Sequence, residues 1–476
     1  MDFTARYILI EKAMMITIST EDEGYELVDR DLEILKGLCN LSLIVLITLI
    51  FSSTPAYCTV DEEVEFRHII QNDYLTIGGI YRLRGEVQDE FNVKKYSTGT
   101  KDDFVLSRLR LEIDLKLTKD LRIHTQIQDA EVLGSSFSDA DFRGGNNPFH
   151  DPFDINQLYI EYWPFKQFGF KVGRQSISFG DRRIFGPGDW GNTGRYAWDA
   201  LRFLYKNDNI DSNLIIGRYI IHDPDIWPNE HINGVTAFAT YNTIKNLPFQ
   251  LDLFYVHRYD DRGITQGEKG KGNLYSHTVG FRVDGKYNQW DYNSTLAVQF
   301  GKWGEDKINA YGLVLTLGYT FDTLWKPHII AQFVNGSGDK EPHDGEHGTF
   351  DGIFGGADTV LYGWMNLFFF QNLREHRLDI ILTPTKTVTL RGEYHYFTLD
   401  EKKDAWYFPG NAQRRDNTGS SGRELGHEVD LIAKKTISKY LEILGGYCFF
   451  IPGEFVKNTG SSPKAQWYFL QTTVYF

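Results

Sequence analysis

The sequence predicts an all-β protein: a transmembrane antiparallel β-barrel of about 18 strands, with short periplasmic turns and long extracellular loops. Three observations predict it. The stretch "SRLRLEIDLKL" (107–117) alternates almost without error, with Leu109, Leu111, Ile113, Leu115 and Leu117 on one parity and Arg108, Arg110, Glu112, Asp114 and Lys116 on the other. A strand sends successive side chains to opposite faces, so this stretch has one apolar face and one charged face. Segments of similar rhythm recur to the end of the chain, and the connectors between them alternate between short and long. The last segment, "AQWYFLQTTVYF", closes on Phe476 with Val474, Leu470 and Tyr468 on its parity. Such an apolar edge would be a liability in water and suits lipid.

Composition agrees. Gly numbers 45 and aromatic residues make up 15% of the chain, yet mean hydropathy is −0.37. Many Tyr, Phe and Gly with modest hydropathy is what a membrane barrel needs, because only every second strand residue meets lipid. A net charge of −14, with no basic run or stacking platform, argues against nucleic acid as a partner. The three cysteines, Cys39, Cys58 and Cys448, form no disulfide framework.

At the N-terminus, "LSLIVLITLIF" (41–51) is an apolar run too short to span a bilayer as a helix. Bounded by Lys36 and "SSTPAYC", it reads as the h-region of a secretory signal cleaved after Ala56 or Cys58. Pro55, three residues before Cys58, argues against a lipid-modified cysteine. The acidic stretch "EDEGYELVDRDLE" (21–33) does not suit a basic n-region, so translation is expected to start just before Lys36. The chain is divided into an extension plus signal (1–58), a periplasmic segment (59–73) and the barrel (74–476).

Strands are expected at 74–90, 104–118, 121–132, 153–163, 168–178, 198–206, 210–221, 233–243, 249–259, 274–284, 291–302, 309–320, 326–334, 376–384, 386–399, 425–435, 439–450 and 466–476. Each is near the length a tilted strand needs to cross a bilayer. Short connectors are "TKD", "NDN", "NLP", "TPTK" and "TISK"; long ones occupy 133–152, 179–197, 335–375 and 400–424. With the N-terminus in the periplasm, an even strand count returns the C-terminus there. Counting "LYGWMNLFFFQNL" (361–373) as a strand would break that parity, so it is placed in a long surface loop.

In such a barrel the charged parity points inward. Candidate lumen residues are Arg82, Arg84, Arg108, Arg110, Arg122, Arg202, Arg282 and Arg391, with Arg174 added from the loop motif below. Basic residues outnumber carboxylates on these strands although the chain is acidic overall. A basic interior behind low-dielectric walls concentrates anions and speeds their entry, and guanidinium groups pair with carboxylates through parallel hydrogen bonds. Arg–Glu ladders that only stiffen the wall are the alternative for any single arginine.

The most specific stretch is "FKVGRQSISFGDRRIFGPGDWGNTGRYAWDALRF" (170–203), preceded by "NQLYIEY". Gly173-Arg174-Gln175, Gly180-Asp181-Arg182-Arg183, Trp190, Asn192, Arg195 and Trp198-Asp199-Ala200 together resemble the alginate export family of outer-membrane proteins. The resemblance extends over about residues 74–476 and is sharpest at 153–205. It implies an 18-stranded barrel whose Arg-lined constriction passes an acidic polysaccharide, gated by loops. On that resemblance Arg182, Arg183, Asp189, Trp190, Arg195 and Asp199 are assigned to a gating loop.

No H-E-x-x-H, G-x-S-x-G, P-loop or C-x-x-C motif is present, so no enzyme is expected. His343, Asp344, Glu346 and His347 cluster in "KEPHDGEHG", but nothing orients them as ligands, and no metal or cofactor is assigned. The expected function is an outer-membrane channel passing an anionic polysaccharide; the alternatives are an uptake porin for small anionic or sugar solutes and a structural or adhesive barrel. Expected partners are outer-membrane lipid and lipopolysaccharide, the acidic polysaccharide and a periplasmic scaffold of a secretion complex. The barrel is expected to work as a monomer.

Overall fold

The computed structural model describes residues 69–97, 101–186, 188, 190–194, 197–355, 361–408 and 411–476. The expected extension and signal, and most of the expected periplasmic segment, lie outside the described residues. Eighteen long strands form one closed antiparallel barrel. They are β1 (Leu75–Asp89), β2 (Asp102–Lys116), β3 (Leu121–Leu133), β4 (Asp151–Phe165), β5 (Phe168–Ser176) and β6 (Ala197–Lys206). There follow β7 (Ile210–Tyr219), β8 (Val235–Ile244), β9 (Gln250–Gln266), β10 (Lys271–Tyr287), β11 (Trp290–Trp303) and β12 (Asp306–Thr320). The wall is completed by β13 (His328–Gly336), β14 (Leu373–Thr385), β15 (Val388–Leu399), β16 (Glu424–Ser438), β17 (Leu441–Pro452) and β18 (Ala465–Tyr475). Each pairs with its chain neighbours, and β1 closes on β18 from Ile80↔Tyr475 to Asp89↔Gln466. Closure leaves no barrel strand with an unpaired edge, the condition for spanning lipid with strands.

The two-residue rhythm of 107–117 sorts as the sequence predicts. Arg108 is buried on the inner face, whereas Leu109 and Leu115 are 37% and 38% exposed on the outer face. Leu83, Ile160, Val172, Phe281, Val298, Leu315 and Leu378 continue that outer apolar band around the wall. Aromatic side chains mark its two rims: Tyr74, Phe165, Tyr287 and Trp290 near the short turns, Tyr275, Tyr311 and Tyr468 toward the long loops. That is the girdle pattern of a membrane barrel.

Local chemistry makes the turns short at one end. Asn207 Oδ1 accepts hydrogen bonds from the backbone N–H of Asn209 and Ile210, and Thr118 Oγ1 accepts that of Asp120. Such side-chain acceptors replace the ladder where the chain reverses. At the opposite end, β9 and β10 run well past the expected 249–259 and 274–284 and form a projecting ribbon. Residues 260–266 lack the apolar alternation by which a strand meeting lipid is recognised, and the ladder with β10 is interrupted between Asp260 and Thr265.

The interior is filled. Residues 361–372 form no strand, as expected, but they do not lie on the surface: Tyr362, Leu367, Phe368 and Phe370 are buried inside the barrel. Phe368 stacks on Phe397 of β15 at 3.9 Å, and Phe350 meets Phe370 at 4.8 Å. The cause is hydrophobic. A loop this apolar gains about 1.5–3 kcal/mol for each large side chain it withdraws from water. A hairpin (Ala405–Phe408 with Asn411–Arg415) and a one-turn helix, α1 (Glu454–Thr459), complete the long-loop end.

Candidate pore constriction

Loop 177–194 leaves β5 and turns inward. Its hydrophobic residues Ile177, Ile184 and Phe185 are buried. Gly180 and Gly194 adopt φ of 54° and 85°, a region that costs a side chain strain. The returning segment is held by the wall. Asn192 Nδ2 lies within 3.0 Å of the carbonyl oxygens of Ser107, Glu131 and Phe149, and Thr193 Oγ1 donates to the Asn147 carbonyl at 2.7 Å.

The candidate arginines of β1 and β2 grip the same segment. Arg82 Nη2 donates to the Gly191 carbonyl at 2.9 Å, and Arg84 Nη1 donates to that of Trp190 at 2.7 Å. Arg108 Nη1 reaches the carbonyls of Gly191 and Asn192 at 3.4 Å. Arg84 also pairs with Glu86 at 2.7 Å and lies 4.0 Å over the Trp190 ring. Trp190 in turn packs edge-on against Trp364, Trp467 and Phe469.

Loop 337–372 meets this one inside the lumen. Phe185 and Phe354 form a parallel bridge, with Gly186 N–H donating to the Phe354 carbonyl at 3.0 Å. A Cβ at Gly355 would sit 2.3 Å from the Arg182 carbonyl oxygen, so glycine permits the approach. Arg183 is buried in the junction, donating to Asp181 and Gln332 and lying 4.9 Å over Tyr362. Burial pushes the Tyr362 phenol well above its ordinary value, so it stays neutral beside that guanidinium. Beside the loop lies a cavity of about 240 Å³ lined by Arg110, Gln126, Asn156, Ser178, Arg182 and His222. Two guanidinium-bearing side chains and several neutral donors therefore converge on one cavity.

The other candidates distribute as follows. Arg110 faces inward with Nε on Gln128 Oε1 at 2.8 Å. Arg122 pairs with Asp114 at 2.5 Å, and Arg202 donates to Asn213. Arg282 is flanked by Asp252 and Asp284, and Arg391 by Asp379 and Glu393. Arg174 is a correction. It stands opposite Leu158 and Asp199 in the ladder, on the same face as lipid-exposed Leu158, and bonds Asp199 at 2.9 Å and Asn229 O. It is therefore outside the lumen. Asp199 is likewise a strand residue of the outer face of β6 and no part of a gating loop. Asp189 and Arg195 lie outside the described residues.

Sequence reasoning missed the acids that share the interior: Asp252, Glu375, Asp379, Glu428 and Asp430 are all buried on inner faces. Asn192, part of the motif, and Gln128 are the neutral side chains that seat the loop. The run of Phe at 368–370, with Phe350 and Phe354, was the signal that this loop folds in.

The family model described as "Alginate export" matches residues 73–468. No curated protein matches the chain. Among solved structures, Acinetobacter baumannii OccAB3 aligns with a TM-score of 0.58 at 9% identity, covering 84% of this chain and 99% of that one. Pseudomonas aeruginosa OccK2 in complex with glucuronate aligns at 0.56 and 10% identity, covering 84% and 98%. A BenF-like porin from Pseudomonas fluorescens Pf-5 aligns at 0.55 and 8% identity, covering 85% and 99%. At these identities the likeness is one of fold.

Proposed function

This chain belongs to the alginate export family of outer-membrane β-barrels, and from that premise we propose that it passes an anionic, alginate-like polysaccharide through its lumen, with loops 177–194 and 337–372 as the gate. One observation carries the reading: Arg82, Arg84 and Arg108 donate to the carbonyl oxygens of Trp190, Gly191 and Asn192. Those carbonyls occupy the place that substrate oxygens would take. When the loop withdraws, the same donors turn to the lumen, where a uronate carboxylate satisfies them in the loop's stead. Successive arginines then pass the polymer along without holding it at any one of them.

The path runs along the β1–β6 side. Arg110 Nε donates to the neutral amide of Gln128 there, and Arg202 to that of Asn213. Arg282 and Arg391 each sit between two carboxylates and serve the wall more than the path. OccK2, of like fold, was solved in complex with glucuronate, a hexuronate like the units of an alginate-like polymer. A secretory signal would place the short turns in the periplasm and the long loops outside, facing lipopolysaccharide. Export implies a periplasmic scaffold as partner, and the closed wall suits a monomer.

The test is conductance in planar bilayers with and without polyuronate. Block by the polymer, lost when Arg82, Arg84 and Arg108 are all replaced by Gln, is expected. Anion-selective conductance that polyuronate never blocks would leave the uptake porin for small anionic or sugar solutes.

A further inference from the structure

We propose that the inner wall at β14–β16 holds a transition-type divalent cation, of the Zn2+ class, on Glu393, His395 and Asp430. The inference needs only the fold, not the transport reading. Glu393, His395 and Asp430 are buried, and one ligand atom from each falls within 4.8 Å of the others. His395 Nε2 lies 3.1 Å from Glu393 Oε2 and 3.2 Å from Asp430 Oδ2. Four ligands about 2.0–2.2 Å from a tetrahedral Zn2+ are separated from one another by about 3.3–3.6 Å, so these edges lie just below those of a zinc site.

Orientation agrees with spacing. His395 Nδ1 is 2.6 Å from Glu375 Oε1. A carboxylate on Nδ1–H orients the neutral ring with its Nε2 lone pair toward Glu393 and Asp430, the outer-sphere arrangement common to metal-bound histidines. Imidazole with carboxylates favours Zn2+-class ions over Ca2+, which takes six to eight oxygen ligands.

Charge and orphaned atoms give the second argument. Five carboxyl groups, of Glu375, Asp379, Glu393, Glu428 and Asp430, face the guanidinium groups of Arg377 and Arg391 and the His395 imidazole, with Arg183 near Glu375, in a wall where all of these acids are 2% exposed or less. Buried negative charge without compensation is costly. Glu428 Oε2 and Asp430 Oδ1 are buried without a hydrogen-bond partner, and Asp430 is one of the three ligands. Either a metal cation or protons must occupy this cluster, and the close convergence of one ligand atom from each of three buried side chains is the geometry that suits the metal.

The site would also clamp the gate. The backbone N–H groups of Trp364 and Met365 donate to Asp430 and Glu428, and Trp364 Nε1 donates to Glu393. A cation fixing those carboxylates fixes the loop that hangs from them.

The experiment uses untagged, detergent-folded protein stripped with chelator and titrated with Zn2+ against a chromophoric competitor. One tight equivalent is expected, undisturbed by millimolar Ca2+. His395→Ala should weaken it at least 100-fold and Glu375→Gln about 10-fold, whereas His427→Ala should leave it unchanged. Zn2+ should also slow protease cleavage within 361–372. Folding of each variant is checked by heat-modifiable gel mobility, and Asp430→Asn replaces His395→Ala if that variant does not fold. No stoichiometric Zn2+ in the parent barrel, or equal binding in a folded His395→Ala or Asp430→Asn variant, overturns the site and leaves shared protons as the occupant.

Discussion

Arg84 holds Trp190 twice: Nη1 donates to its backbone carbonyl at 2.7 Å while the guanidinium lies 4.0 Å over its indole ring. A wall residue thus fixes both the path and the side chain of the loop that fills the lumen. Arg84→Gln removes both contacts and takes from buried Glu86 its guanidinium partner. The expected loss is about 2–4 kcal/mol of loop docking. Hydrogen exchange over 177–194 should rise well above that of the strands. Unchanged protection would show that Arg84 does not anchor the loop.

The junction between the loops is the second target. Gly355→Val would set a Cβ 2.3 Å from the Arg182 carbonyl oxygen, a backbone atom that cannot step aside as a flexible side chain can. The bridge between Phe185 and Phe354 should part, and single-channel conductance should increase while the barrel keeps its gel mobility. Conductance equal to that of the parent would mean that this contact does not limit the pore.

The strands were legible because lipid imposes a strict rule on every second residue, as at Leu109 and Leu115. The loops obey no such rule, and their placement was read only as far as their length. Residues 361–372 went inward because Phe368 and Phe370 have apolar partners there, a tertiary fact that local pattern does not encode. The inward arginines were legible from parity, but their partners were not. Asp252 beside Arg282, or the Trp190 carbonyl on Arg84, joins residues far apart in the chain. Arg174 failed for a simpler reason: the motif suggested a role in the pore, whereas parity with Phe170 and Val172 already placed it outside.

That correction is testable. Arg174→Gln should leave ion selectivity untouched, since the side chain stands on the outer face. It should lower thermal stability, because Asp154, 2% exposed, loses its guanidinium neighbour and Asp199 its bidentate partner. A cost of about 1–3 kcal/mol is expected from a buried acid so abandoned. A clear shift in reversal potential under a salt gradient would return Arg174 to the lumen.

Docking of loop 337–372 should also depend on pH through Asp339. Burial, and then the nearby Asp404, Glu268 and Asp344, push its carboxyl up to about 7 from an ordinary 3.8, against a smaller opposing hydrogen bond from the Glu341 backbone. Its own backbone N–H donates to Asp404 Oδ2 at 3.0 Å, and Asp404 also accepts from Thr349 and Tyr407 and pairs with Arg415. The sign follows from which state binds the proton more tightly. The packed loop keeps Asp339 protonated up to about pH 7, whereas the released loop gives the proton up near pH 4. Docking is therefore strongest below about pH 4, weakens as pH rises through the interval from 4 to 7, and is weakest above it. Protease cleavage within 337–350 should be faster at pH 8.5 than at pH 5.5, and Asp339→Asn should flatten that difference by removing the titrating group. A parent protein cleaved equally at both values would mean that Asp339 does not sense the packing around it.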